Sequence, residues 1–163
     1  MQTPAAPAVP VRLALYQPDI PQNAGTILRT AACLGIAVDI IGPAGFDMTD
    51  RALRRAGLDY LEHAAVTRHQ DWATFLAATQ AANRRIALLS TQATTSYLEH
   101  VFEVDDVILL GRESAGVPQH VHAAADVRLC IPMRPGLRSL NIAVAAAMVV
   151  GEALRHRSLA QSQ

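Results

Sequence analysis

The sequence predicts a single α/β domain whose mostly parallel sheet is covered by helices on two sides. Short apolar runs alternate with helical patterns along the whole chain. The strand runs are apolar on both faces, as strands buried between two helix layers must be. The length of 163 residues, 51% of them hydrophobic, supports one core and leaves no room for a second domain. In such sheets ligands bind beyond the carboxyl ends of the strands, so the loops that follow strands are where function is sought.

Met1 to Pro10 is rich in Pro and Ala, lacks a basic start and an apolar core, and reads as a flexible leader. Val11 to Tyr16 is a strand that ends at the turn-forming Gln17-Pro18-Asp19. From Asn23, a candidate cap, apolar positions recur at helical spacing through Leu34, and Gly35 ends the pattern. Ile36 to Ile41 is β-rich and closed by Gly42-Pro43-Ala44-Gly45. Asp50 to Gly57 and Trp72 to Ala82 carry helical patterns, separated by a short strand around Ala65 to Thr67. Ile86 to Ser90, Val107 to Leu110 and Val127 to Ile131 are buried-strand runs. Ser139 to His156 is the longest helix, apolar all round from Ala143 to Val150, which requires burial on more than one side. The domain then covers residues 11–157, with 158–163 as a tail.

Composition excludes several function classes. Fourteen basic residues balance fourteen acidic ones, so a grip on nucleic acid has to be a local patch and not a uniform positive field. The arginine clusters are Arg51, Arg54 and Arg55; Arg84 and Arg85; Arg134 and Arg138; Arg155 and Arg157. Cys33 and Cys130 lie in apolar surroundings and read as two buried, reduced thiols. No CxxC pair is present, and His120 and His122 read as decoration of a surface segment, so no metal site is expected. No apolar run reaches the about 20 residues that a bilayer requires, which makes the expectation a soluble, cytoplasmic protein. The loop after the first strand lacks the GxGxxG of dinucleotide binding, and no Gly-Lys-Ser/Thr triplet supplies a P-loop. Arg112-Glu113-Ser114-Ala115-Gly116 lacks the first glycine of a hydrolase elbow.

Three loops remain, each after a strand. Asn23-Ala24-Gly25-Thr26-Ile27-Leu28-Arg29-Thr30 carries a polar cap position and an arginine almost two turns into the helix. Gly111-Arg112-Glu113-Ser114-Ala115-Gly116-Val117-Pro118 is bracketed by glycines that let backbone approach a ligand. Ile131-Pro132-Met133-Arg134-Pro135-Gly136-Leu137-Arg138-Ser139-Leu140-Asn141 is irregular, stiffened by two prolines, and leads into the apolar helix.

In this order the three loops resemble the signature motifs of the SPOUT class of RNA methyltransferases. The N-x-G-x-x-x-R-T motif is matched by Asn23, Gly25, Arg29 and Thr30, and the G-x-E-x-x-G-[VL]-P motif by Gly111, Glu113, Gly116, Val117 and Pro118. The I-P-M and S-L-N block is matched by Ile131 to Met133 and Ser139 to Asn141. The likeness runs from Val11 to Arg157. Leu53 to Tyr60 and Ala65 to Asp71 further resemble the minimal TrmL-type branch, which methylates the tRNA wobble ribose.

The resemblance implies a C-terminal deep trefoil knot, S-adenosylmethionine as cofactor, and a homodimer formed through the C-terminal helix. It implies cofactor contacts from Leu89, Thr91, Gly111, Glu113, Ile131, Met133, Ser139 and Leu140. Arg29, Ser139 and Asn141 are the catalytic candidates, and Asn23, Arg29, Arg54, Arg55 and Arg138 the RNA-binding ones. The implied substrate is the ribose of cytidine 34 or 5-carboxymethylaminomethyluridine 34 in tRNA(Leu) isoacceptors. Many relatives follow S-L-N with a small polar pair, whereas this chain has Ile142-Ala143-Val144-Ala145, which leaves that polar role to Ser139 and Asn141. A guanidinium is a poor base, so Arg29 is expected to favour the alkoxide by its charge. The competing readings are a SPOUT enzyme acting on another RNA position and an RNA-binding module without catalysis.

Overall fold

The computed structural model describes residues 11–55 and 61–161. The elements are β1 (Val11–Tyr16), α1 (Pro21–Leu34), β2 (Val38–Ile41), α2 (Asp50–Arg55), a 3-10 turn (Leu61–His63), β3 (Val66–His69) and α3 (Trp72–Ala81). They continue with β4 (Ile86–Leu89), β5 (Thr95–Ser96), β6 (Asp106–Leu110), α4 (Gln119–Ala124), β7 (Val127–Cys130) and α5 (Ile142–Gln161). The described strands form one sheet in the order β3-β2-β1-β6-β4-β7-β5, and every pairing is parallel. The predicted α/β architecture is therefore present.

Alternate residues of each central strand point to opposite sides. Leu13, Leu15, Ile108 and Leu110 enter a core shared with Ile27 and Leu28 of α1 and with Val149 and Val150 of α5. Ala14, Tyr16, Val107 and Leu109 enter a second core with Phe75 of α3 and Val121 of α4. Two helix layers thus cover the sheet, which is why its central strands β1, β6 and β4 are apolar on both faces.

Several sequence expectations need correction. Helix α1 begins at Pro21, whose fixed φ and missing N–H suit a first turn, and the capping position is Ile20. Asn23 is therefore inside the first turn and does not cap it; its side chain is used elsewhere. Cys33 is exposed and Cys130 is half-buried, both as free thiols. Cys33 lies on the outer side of α1, turned from the face that buries Ala24, Leu28 and Ala31. The last helix starts at Ile142, because the side chain of Asn141 accepts the N–H groups of Ala143 (2.9 Å) and Val144 (3.3 Å) and so caps it. It continues to Gln161, past the predicted helix end at His156, with no Gly or Pro between the two positions. The two-residue β5 and the six-residue α4, which carries His120 and His122, were not predicted at all. The leader at 1–10 and the stretch 56–60 lie outside the described residues.

Among its described side chains, α5 is buried within the chain on one face only. Ala143, Ala146, Val150 and Ala153, spaced by three and four residues, are buried, while Val144 (52% exposed), Ala147, Met148 (38%) and Gly151 face outward. The uniform apolarity of this helix exceeds what its own core consumes.

Charge is neutralised away from the loops. At the amino rim of the sheet Asp106, 2% exposed, accepts both forks of Arg85, Nε at 2.8 Å and a terminal nitrogen at 2.7 Å. Asp39, buried on β2, accepts Arg12 Nε at 3.0 Å and contacts His69 Nε2 at 2.8 Å.

Candidate active site

Strands β1, β6, β4 and β7 are neighbours at the centre of the sheet and point the same way. Their carboxyl ends therefore deliver four loops to one rim, and these loops enclose a cleft of about 860 Å³. Ile20 comes from the β1–α1 connection and Asn23 from the first turn of α1, Ser90 to Ala93 follow β4, Gly111 to Val117 follow β6, and Ile131 to Asn141 follow β7.

The loop after β6 folds back on itself. Arg112 and Gly116 exchange backbone hydrogen bonds of 2.9 and 2.8 Å. A Cβ on Gly111 would lie 2.8 Å from the backbone carbon of Gly116, and Gly116 itself has φ of +62°. Both glycines are thus required by the turn, one for space and one for conformation. The closed turn presents Glu113 to the cleft.

The loop after β7 is different in kind. Between Ile131 and Leu140 the one backbone–backbone bond among the described residues is Leu137 N–H donating to Arg134 C=O at 3.3 Å. Amides and carbonyls of this stretch lie along the cleft without belonging to a ladder, which is what a loop that reads a ligand through its backbone needs. Leu89, Ile131, Met133 and Leu140 supply apolar wall beside them.

A chain of side-chain hydrogen bonds ties the three motif loops together. Asn141 Nδ2 donates to Asn23 Oδ1 at 3.0 Å, and Asn23 Nδ2 donates to Glu113 Oε1 at 3.2 Å, across sequence separations of 118 and 90 residues. Glu113 in turn meets the carboxyl of Asp19. Asp19 accepts the hydroxyl of Ser114 and lies 3.6 Å from Arg112 Nε. Glu113 is pushed up from the ordinary glutamate value by burial first and by its bond to Asp19 second. Asp19 is held down at about 2, first by the bond from Glu113 and then by that from Ser114.

The cleft is lined by Leu89, Thr91, Gly111, Glu113, Ile131, Met133, Ser139 and Leu140, together with Asn23, Arg138 and Asn141. Arg29 is exposed on α1 and does not line the cleft of its own chain. Arg54 and Arg55 are exposed on α2, also outside the cleft, and Arg54 pairs with Glu62 at 3.2 Å. Of the Leu53 to Tyr60 stretch, residues 56–60 lie outside the described residues. Asp19, Arg112 and Ser114 were missed. An acidic residue in the loop after the first strand was the available signal for Asp19, but its partner lies far along the chain. Among the described residues no three His, Cys, Asp or Glu side chains gather as a metal set.

The chain is 59% identical over 143 residues to a tRNA (cytidine(34)-2′-O)-methyltransferase of Beijerinckia indica subsp. indica, covering 88% of this chain and 89% of that one. A solved structure described as "Structural insights into the 2-OH methylation of C/U34 on tRNA" superposes with a TM-score of 0.84 at 42% identity, covering 91% of this chain and 96% of the other. An AdoMet-bound rRNA methyltransferase from Sinorhizobium meliloti superposes at 0.81 with 26% identity over 90% of this chain and 56% of its own. The family model that matches residues 10–151 spans the β1–α1 loop, the glycine turn, the β7 loop and half of α5, and by that match the chain belongs to the SpoU rRNA Methylase family.

Proposed function

We propose that this chain transfers the methyl group of S-adenosylmethionine to the ribose 2′-hydroxyl of the tRNA wobble nucleotide, cytidine 34 or 5-carboxymethylaminomethyluridine 34 of tRNA(Leu) isoacceptors. The observation that carries the reading is the Glu113–Asn23–Asn141 chain, which joins three separate motif loops at one cleft. The names of its relatives supply the reaction and the nucleotide.

The cleft suits the cofactor. Apolar wall from Leu89, Ile131, Met133 and Leu140 stands beside the unladdered backbone of 131–140, matching a flat heterocycle with polar edges. Bound there, S-adenosylmethionine supplies a methyl group already activated by the sulfonium charge. Transfer then needs positioning and a way for the hydroxyl to lose its proton. Ser139 and Asn141, at the mouth, are suited to orient the hydroxyl. Arg29 favours its ionised form by charge and clamps the adjacent phosphate, while Asn23, Arg54, Arg55 and Arg138 extend the RNA contact.

Because Arg29 lies outside its own cleft, it acts on substrate held by a second copy. The outward face of α5 supports this assembly: Val144, Ala147, Met148 and Gly151 form an apolar strip of small and medium residues. Helices α1 and α5 share one core on the same side of the sheet, so a second copy seated on the strip would approach the side that also carries α1. The same reading carries the C-terminal knot, the domain at residues 11–157 and a cytoplasmic site of action on tRNA.

Purified protein with methyl-labelled cofactor and tRNA transcripts tests the reading. Label is expected on tRNA with a ribose at position 34 and absent when that nucleotide is 2′-deoxy; label on the deoxy substrate overturns it. Calorimetric titration with S-adenosylmethionine is expected to reveal binding, and none would favour an RNA-binding module. A monomer at micromolar concentration in sedimentation would defeat the shared site.

A further inference from the structure

The hydrogen-bond chain at the cleft has a fixed direction. Oδ1 of Asn141 accepts two N–H groups of α5, which only donate, so its amide nitrogen must face outward to Asn23. Oδ1 of Asn23 is thereby occupied, and its own amide nitrogen must face Glu113 Oε1. Both amide orientations are set by the start of α5, and the chain ends on a carboxyl group.

That carboxyl leads to an apparent conflict. Glu113 Oε2 and Asp19 Oδ1 are both buried, and neither has a donor among the described residues. The two groups nevertheless meet each other. Ionised carboxylates are acceptors only, so two of them in contact would leave both oxygens orphaned and repelling. One proton removes the conflict. It belongs on Glu113, because Asp19 already has the Ser114 hydroxyl and the Arg112 guanidinium, whereas the donors to Glu113 are all neutral, the amide of Asn23 and its own backbone N–H. Arg112 is the one charged side chain in ion-pair range of either group among the described residues. As an acid, Glu113 donates from Oε2 to Asp19 and accepts from Asn23 on Oε1.

We propose that Asp19 and Glu113 share one proton and act as a positioning pair, holding Asn23 and through it Asn141 in the orientation that the reaction uses. For its kinetic consequence this rests on the methyltransferase reading above. Neither carboxyl needs to touch the reacting atoms. Loss of the proton sets two negative charges against each other at a half-buried rim and loosens the turn that carries Glu113.

Carboxyl-carbon NMR titration of the full chain tests the pair without any activity. Glu113 is expected to titrate above the ordinary glutamate range and Asp19 well below the aspartate range, with Asp19→Asn returning Glu113 toward ordinary values. Independent titration of both at ordinary values overturns the proposal. In single-turnover methylation, Glu113→Ala is expected to slow the rate at saturating substrate by on the order of 10²-fold, the scale of a misplaced reacting group. Glu113→Gln, which donates to Asp19 and accepts from Asn23, is expected to recover most of that loss and to flatten the fall in rate at alkaline pH. A Gln variant as slow as Ala at every pH also overturns the proposal, because an ionised Glu113 would then be the required form. Should wild-type protein methylate no tRNA while the two carboxyls titrate as a pair, the proposed function fails and the shared proton stands.

Discussion

The two rims of the sheet treat their acidic groups in opposite ways. At the amino rim Asp106 is buried against both forks of Arg85, a pairing that satisfies the charge and holds β4 to β6. At the carboxyl rim Asp19 and Glu113 face each other, with Arg112 no nearer than 3.6 Å to Asp19. Stability alone would favour a cation or an apolar pair there. The contrast teaches that the amino rim is organised for folding and the carboxyl rim for chemistry, so substitutions at the two rims should separate into different measurements.

The largest separation is expected from Arg29→Ala. Methyl transfer should fall by about 10²- to 10³-fold, as for loss of one electrostatic stabiliser, with cofactor affinity and thermal stability retained. Undiminished single-turnover rates would remove Arg29 from the reaction. At the other rim, Arg85→Ala leaves Asp106 buried without its cation and should cost about 3 kcal/mol of stability. Cofactor affinity should be unaffected at temperatures where the variant is folded; denaturant titration beside calorimetry measures both.

Gly111→Ala tests how far the carboxyl rim tolerates added volume. Its Cβ would press on the backbone of Gly116 at 2.8 Å, which cannot swing away as a side chain can. The turn should open at a cost of about 1–3 kcal/mol and weaken cofactor binding; equal affinity in calorimetry would mean that the turn does not shape the pocket.

The smallest expected effect is on the pH dependence of stability. Asp19, held down at about 2, contributes stability that is complete above the ordinary aspartate value of 3.8 and disappears as pH falls to about 2. Glu113, pushed up, works with the opposite sign: its contribution is present at low pH and is lost as pH rises through its raised value. The stability difference between wild type and Asp19→Asn should therefore be greatest between these two titrations and shrink on either side. A difference that stays constant from pH 2 to 9 would remove the coupling.

Much of this was legible in the sequence because it depends on local chemistry. The apolar runs at Val11 to Tyr16, Val107 to Leu110 and Val127 to Ile131 mark strands of a two-sided core, and Gly35 marks the end of α1 through its left-handed φ of 68°. The motif loops were legible by residue type, and each contributes to one cleft, though Arg29 of the first motif stands outside it. What escaped depends on distance along the chain. Asn23 looks like a cap when only its neighbours are considered, yet its partners are 90 and 118 residues away. Asp19 gains its meaning from Glu113, and no spacing rule joins them. The elements missed, β5 and α4, are too short to show a period.

Nucleoside mass spectrometry of tRNA tests the central claim most directly, using cells with the gene, without it, and without it but supplied with the Arg29→Ala chain. The account predicts 2′-O-methylation of the wobble nucleotide only where the intact chain is present, with Arg29→Ala restoring little of it. Wobble ribose methylation that is unchanged when the gene is removed would contradict it.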